Sequence, residues 1–129
     1  MSRRDDVSLL RDMIEACRQA LAAVEHRTRG DLDGDLVWAW GLTKCLEIIG
    51  EAASQLSDGI RTRGPAVPWP RIIGMRNRLV HAYFEVDYDQ VWRTIAEDLP
   101  PLIHEIERLL RAYPNNSPEQ LNAIQASDR

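Results

Sequence analysis

The segment from Arg76 to Phe84 holds the side chains of this sequence that are best suited to chemistry on a phosphate group. Arg76 carries a planar, permanently charged guanidinium group that can bind two phosphate oxygens at once. His81 titrates near neutral pH, so its imidazole can accept or donate a proton during a reaction. Asn77 and Arg78, which lie between them, are candidate supporting residues. The segment therefore predicts an anion site with a proton-transfer group beside it.

The stretch from residue 59 to residue 84, called here the arginine window, contains no aspartate or glutamate. The whole chain has 20 carboxylates and a formal net charge of −4, so its overall charge gives no reason to expect nucleic-acid binding. One interpretation of the window is a local cationic surface that binds phosphate groups. The other is that its arginines pair with carboxylates on neighbouring helices. These arginines are Arg61, Arg63, Arg71, Arg76 and Arg78.

A continuous helix through the window would keep its two chemical groups apart. Arg76 would lie within the apolar stripe of such a helix, and His81 would point about 140° away from it. Because a buried unpaired arginine is costly, Arg76 needs a carboxylate such as Glu51 or Glu47, or a position at a groove or subunit boundary. For Arg76 and His81 to share a site, the helix must end before the histidine, or a second copy of the chain must contribute.

Apolar residues recur with the period of a helix along most of the chain, and no strand alternation or hairpin turn signal competes with it. The stretch from Asp31 to Asp35 suits a turn followed by a helix N-cap, and Asp87 is a second candidate cap. Pro100 and Pro101 cannot donate helical hydrogen bonds, so we expect a kink or break there. The predicted helical stretches are residues 4–29, 36–57, 69–81 and 87–110.

These stretches predict an all-α fold, an up-and-down bundle of four to five helices that forms one domain over residues 1–112. Residues 113–129 contain few large apolar side chains, and we expect them to form a mobile tail. The tryptophans are expected to be core or dimer contacts and not platforms for stacked bases; they are Trp38, Trp40, Trp69 and Trp92.

Other classes of protein and site find little support in the sequence. Cys17 and Cys45 lack the spacing of a metal or redox motif, and we interpret them as free thiols of a reducing compartment. His104-Glu105 lacks the second histidine of a zinc-binding H-E-x-x-H motif, so no metal site is predicted. No signal peptide follows the N-terminus, and no apolar run approaches the roughly 18 residues of a membrane span. We therefore expect a cytoplasmic protein that makes no membrane contact.

The string Arg76-x4-His81-Ala82-Tyr83 resembles the R-x4-H-x-Y signature of the HepT-type toxins, which belong to the HEPN superfamily of small helical ribonucleases. Asn77 occupies the superfamily's usual polar position after the arginine. The resemblance extends over roughly residues 5–110 and excludes the C-terminal tail. Further segments that resemble the family are Ile48-Ile49-Gly50-Glu51-Ala52-Ala53, Pro68-Trp69, Ile73-Gly74-Met75-Arg76-Asn77 and Val91-Trp92.

This resemblance implies a homodimer whose two motifs face one another and which cleaves RNA without a metal or cofactor. Arg76 would bind the phosphate, and His81 would transfer protons while the RNA 2′-hydroxyl attacks the adjacent phosphorus. Asn77, Arg78 and Glu51 would support that pair. The resemblance also implies a partner, a minimal nucleotidyltransferase antitoxin that attaches AMP to the motif tyrosine, which here is Tyr83.

Two other interpretations remain open. The chain could be a catalytically inactive helical dimer that binds a nucleotidyltransferase or a nucleotide, or it could be a purely structural bundle. Tyr83 and Phe84 could likewise do no more than close the end of a helix against the bundle.

Overall fold

The computed structural model of the chain describes residues 5–82 and 85–112, and the side chains of Arg76 and of residues 80–82 fall outside that description. The predicted all-α class is confirmed, and the predicted helical stretches are divided into shorter helices. The helices are α1 (Asp6–Val24), α2 (Asp31–Gly34), α3 (Leu36–Gln55), α4 (Asp58–Arg63), α5 (Trp69–Ile73), α6 (Met75–Leu79), α7 (Tyr88–Arg93) and α8 (Leu99–Ala112), and a π-helical segment (Thr94–Asp98) joins α7 to α8. The strands are β1 (Val80–Ala82) and β2 (Glu85–Val86).

Helices α1 and α3 run in opposite directions and form the centre of the core. Asp6 at the start of α1 accepts hydrogen bonds from the backbone N–H and the hydroxyl of Ser57, at 2.9 and 2.5 Å, just beyond the end of α3. Asp35 accepts a hydrogen bond from the Trp38 N–H at 3.1 Å, so the predicted N-cap after the turn is confirmed. The two helices bury their apolar side chains against each other; these include Leu10, Met13, Cys17, Leu42, Leu46 and Ile49.

The single helix predicted over residues 69–81 is wrong in its continuity. Helix α5 ends at Ile73, and Gly74 separates it from α6, which ends at Leu79. The Gly74 N–H donates to the Pro70 carbonyl oxygen at 2.9 Å, and a Cβ atom at residue 74 would approach that oxygen to 3.1 Å. A turn at Gly74 therefore ends α5, and α6 begins at Met75.

A short antiparallel pair of strands follows α6, although the sequence analysis found no strand signal. Val80 pairs with Val86 and Ala82 with Glu85. The Asp87 N–H donates to the Leu79 carbonyl oxygen at 2.8 Å, which closes the pair where α6 ends. Strands of two and three residues are too short for alternation of apolar and polar side chains to be visible in a sequence.

The irregularity predicted at Pro100 and Pro101 takes the form of a π-helical segment that ends at Asp98, and the two prolines lie in the first turn of α8. Neither proline has an N–H to donate to the carbonyl one turn earlier, and the wider π turn carries the helical path across this gap. Asp87 accepts a hydrogen bond from the Gln90 N–H at 3.1 Å, so the predicted N-cap of this stretch is confirmed.

Trp69 fixes the irregular connection between α4 and α5. Its indole Nε1–H is shared between the carbonyl oxygens of Arg61 and Gly64, at 3.0 and 2.9 Å, while its ring is buried in the core. Core side chains from α1 to α8 form one continuous cluster, so residues 5–82 and 85–112 share a single core. The predicted tail, residues 113–129, lies outside the described residues. No helix within the described part of the chain is long and apolar enough to cross a membrane.

Candidate active site

The two principal motif residues lie on consecutive elements. Arg76 belongs to α6, which ends at Leu79, and His81 belongs to strand β1. Helix α6 thus ends before His81. This was one of the two ways in which Arg76 and His81 could share a site; the other was a contribution from a second copy of the chain. The chain leaves the helical path between Arg76 and His81, so the separation of about 140° on a continuous helix no longer applies. Tyr83 lies outside the described residues.

Helix α6 is held in place by its apolar side. Met75 and Leu79 are fully buried, whereas Asn77 is exposed. The backbone N–H groups of Asn77 and Arg78 both donate to the Gly74 carbonyl oxygen, at 3.1 and 3.3 Å. The predicted supporting residue Asn77 is therefore available to a ligand on the outer side of the motif helix.

Gly50 of α3 provides the surface on which the α5–α6 junction packs. A Cβ atom at residue 50 would lie 3.1 Å from the Ile72 carbonyl oxygen and 3.9 Å from the Met75 Cβ atom. A side chain at residue 50 would therefore crowd the backbone before the motif and force it to shift. The neighbouring residue, Glu51, is exposed, and its Oε1 accepts a hydrogen bond from Gln55 Nε2 at 3.2 Å.

Glu51 also lines a groove of about 290 Å³ between α1 and α3, together with Asp12, Lys44 and Glu47. Within that groove, Lys44 Nζ lies 3.8 Å from Glu47 Oε2. The expected pairing of Arg76 with Glu51 or Glu47 stays a prediction, because the Arg76 side chain falls outside the description.

Several arginines of the window make contacts within the chain, as one of the two interpretations held. Arg61 Nη2 lies 2.6 Å from Asp58 Oδ1, and Arg71 Nη2 lies 3.1 Å from Asp98 Oδ2. Arg78 Nη2 donates to the Arg71 carbonyl oxygen at 3.1 Å. The window is therefore less cationic than its sequence indicates, because Asp58 and Asp98 neutralise part of its charge from outside it.

An exposed apolar face on α3 was missed by the sequence analysis. Every large apolar side chain that is markedly exposed in the described part of the chain lies on this helix: Leu36, Val37, Trp40 and Ile48. Gly41 lies among them with open space around its Cα. The signal was present in the sequence, because α3 carries apolar residues beyond the stripe that its core contacts require.

The other candidate groups are not arranged for catalysis. Burial raises the pKa of the Cys17 thiol to about 12, and Cys45 contributes in the same direction, so the neutral thiol predominates. Both cysteines are free, as expected.

Trp38 is half-buried, and the Arg27 guanidinium lies over it, 4.4 Å from the centre of the Trp38 ring. Among the described side chains, no group of three or more His, Cys, Asp or Glu could hold a metal ion.

Comparison with known proteins identifies the family. The family model described as "Ribonuclease HepT-like" matches residues 13–109, which include the whole motif segment. The protein named "Putative RNase MJ1380", from Methanocaldococcus jannaschii, is 32% identical over 83% of this chain and 98% of its own length. The "Probable ribonuclease HepT" of Thermococcus cleftensis is 34% identical over 77% of this chain and 94% of its own.

No solved structure matches the chain. The family model covers most of the residues that form the common core, and the relatives are matched over nearly their full lengths. The resemblance drawn from the motif is thereby confirmed: the chain belongs to the HepT-like ribonuclease family.

Proposed function

We propose that this chain is the ribonuclease toxin of a toxin–antitoxin pair and that it cleaves RNA without a metal ion at a site shared by two copies. The observation that carries the proposal is the end of α6 at Leu79, which places Arg76 and His81 on separate, consecutive elements. The family assignment and the RNase names of its relatives support RNA as the substrate.

The proposed reaction transfers a phosphoryl group within the RNA. The 2′-oxygen forms a bond to the adjacent phosphorus, and the bond from that phosphorus to the 5′-oxygen breaks. One proton leaves the 2′-hydroxyl and another is delivered to the 5′-oxygen, giving a 2′,3′-cyclic phosphate and a 5′-hydroxyl. His81 performs proton transfer, Arg76 stabilises the charge that develops on the phosphoryl oxygens, and the exposed Asn77 orients the ribose or the imidazole.

The displacement needs a general base for the 2′-hydroxyl and a general acid for the 5′-oxygen, and each chain supplies one motif histidine. We therefore assign the two roles to two copies of His81. A two-fold axis brings two identical residues together by symmetry. The apolar face of α3 supports a second copy as the partner, since Val37 is 76% and Ile48 39% exposed. Gly41 on the same face costs helix stability of about 1 kcal/mol relative to alanine, which is understandable if another helix approaches closely there.

The partner that silences the toxin is proposed to be a minimal nucleotidyltransferase encoded with it. In this reaction the Tyr83 hydroxyl oxygen, having lost its proton, bonds to the α-phosphorus of ATP, and pyrophosphate leaves. The attached AMP would add bulk and a negative charge within the motif segment. Both would oppose the binding of an RNA phosphate, by occupation and by repulsion. Tyr83 stands two residues after His81, so the modification would lie at the place where substrate is expected.

The test is cleavage of a labelled RNA by the purified chain, with and without EDTA, compared with His81→Asn and Arg76→Ala. We expect the chain to cut in EDTA and the His81→Asn variant to lose at least about 100-fold in rate, as is usual when a general acid or base is removed. His26→Asn is the matched control, because His26 is exposed and has a φ of 63°, which asparagine tolerates.

Parental rates in both motif variants would overturn the assignment of Arg76 and His81. A purified, unmodified chain that leaves RNA intact but binds the nucleotidyltransferase would instead support the catalytically inactive dimer.

A further inference from the structure

Arg78, Arg71 and Asp98 form a chain of contacts from the motif helix to the π-helical segment; we call them the Arg71 cluster. Arg78 Nη2 donates to the Arg71 carbonyl oxygen at 3.1 Å. The Arg71 guanidinium in turn lies 3.1 Å from Asp98 Oδ2. The Arg78 side chain therefore reaches back across Gly74, the residue at which α5 and α6 meet.

The carboxylate of the Arg71 cluster is more shielded from water than Asp58, whereas the Arg71 side chain, at 46% exposed, is less shielded than Arg61, at 27%. The Asp98 side chain is 21% exposed, whereas Asp58, which pairs with Arg61, is 97% exposed. Arg78 is half-buried, and its Nε atom is inaccessible to water. Water and salt screen exposed charges, so the shielded Asp98 carboxylate is expected to hold its partner more firmly than the exposed Asp58 carboxylate does.

Helix α6 depends on such tertiary contacts for its direction. It spans only Met75–Leu79, and a helix of this length is not stable by itself. Its buried side chains, Met75 and Leu79, fix its depth in the core. Arg78 adds a contact on another side of the helix, between the positions of Arg76 and His81 in the sequence.

We infer that Asp98 and Arg71 are positioning residues for the proposed RNA cleavage, and that they act through Arg78 on the orientation of the motif helix. This inference rests on the proposed function. It also gives Arg78 a different role from the one first expected, since the guanidinium that could have helped to hold substrate is bonded to α5.

The experiment compares Asp98→Asn with Asp58→Asn, which removes a carboxylate from the exposed pair in the same window. The Asp98→Asn variant should lose roughly 10-fold to 100-fold in kcat, as small misplacements of catalytic groups do, with little change in KM. Asp98→Glu should restore most of the loss, and Asp58→Asn should match the parental chain. Arg71→Gln serves as the second variant if Asp98→Asn does not fold.

Hydrogen exchange supplies a readout that does not depend on activity. The N–H groups of Asn77 and Arg78, which are bonded to the Gly74 carbonyl, should exchange faster in Asp98→Asn and unchanged in Asp58→Asn. Parental kcat together with parental exchange in Asp98→Asn would overturn the inference. If the parental chain does not cleave RNA but exchange still responds, the proposed function fails and the positioning role of the cluster stands.

Discussion

At the scale of single residues, the arginines of one short window divide into different roles. Arg61 and Arg71 are paired with carboxylates from outside the window, and Arg78 is bonded to a backbone carbonyl. Composition alone presents these side chains as equivalent cations. These three side chains are engaged within the chain, and the proposed phosphate-binding role of Arg76 rests on its place in the family motif.

Tyr83 gives the first residue-scale prediction. When the purified chain is incubated with ATP and the proposed nucleotidyltransferase partner, we expect its mass to increase by one AMP and RNA cleavage to stop. Tyr83→Phe removes the hydroxyl that would accept the AMP, so the variant should gain no mass. Intact-mass and peptide mass spectrometry measure both results.

Tyr88→Phe is the matched control, because Tyr88 lies at the start of α7 and is half-buried. It should be modified like the parental chain. AMP found on another residue while Tyr83 stays intact would contradict the assignment.

At the scale of elements, the motif depends on a junction that α3 supports. Gly74 ends α5, α6 begins at Met75, and the backbone around Ile72 packs on Gly50 of α3. Packing at this distance transmits small changes of volume directly to the backbone, because protein interiors are densely filled. We therefore expect changes to the α3 surface beneath the junction to lower the stability of the chain, even though this surface carries no functional group.

Gly50→Ala should destabilise the chain by roughly 1–3 kcal/mol, because the new methyl group would press on the Ile72 carbonyl at 3.1 Å. Gly34→Ala is the control, since nothing lies within 4 Å of a Cβ atom at residue 34. Its effect should stay within about 0.5 kcal/mol. Urea unfolding followed by circular dichroism measures both, and equal midpoints for the two variants would refute the packing argument.

Much of this element-scale architecture could be predicted from the sequence, for identifiable reasons. The long helices have strong apolar periodicity, and Asp35 and Asp87 have the side chains that an N-cap requires. The break at Gly74 could not be predicted, because it depends on the packing of the α5–α6 junction against Gly50 of α3. The strands after Leu79 could not be predicted because they are too short for alternation of apolar and polar side chains to be visible. The candidate motif was recognised from its residue types, but its placement on two elements required the fold.

At the scale of the whole molecule, α3 has one face buried in the core and one exposed apolar face. One is buried in the core by residues such as Leu46, whereas the other exposes Val37 and Ile48. Helix α3 also supports the α5–α6 junction. A second copy of the chain that bound to the outer face of α3 would therefore contact the same helix against which the motif segment packs. This arrangement makes the proposed dimer and the proposed active site parts of one structural unit.

Val37→Asp should convert the proposed dimer to a monomer, because it would bury a charge in the proposed contact. Its molar mass in solution should fall from that of two chains to that of one, and RNA cleavage should fall with it. Gln19→Asp, at an exposed position of α1, adds the same charge elsewhere and should leave both unchanged. Analytical ultracentrifugation measures the mass, and a Val37→Asp variant that stays dimeric would place the contact on another face.

The π-helical segment from Thr94 to Asp98 determines which side of α8 faces the core. Large apolar side chains along this path are buried in the core, both before and after the segment: Val91, Ile95, Leu99 and Ile106. Deleting one residue there would rotate α8 by about 100° relative to α7 and carry its apolar side out of the core. A change in the length of this segment would therefore disturb the packing of the whole of α8, whereas a substitution within it would act on its own contacts alone.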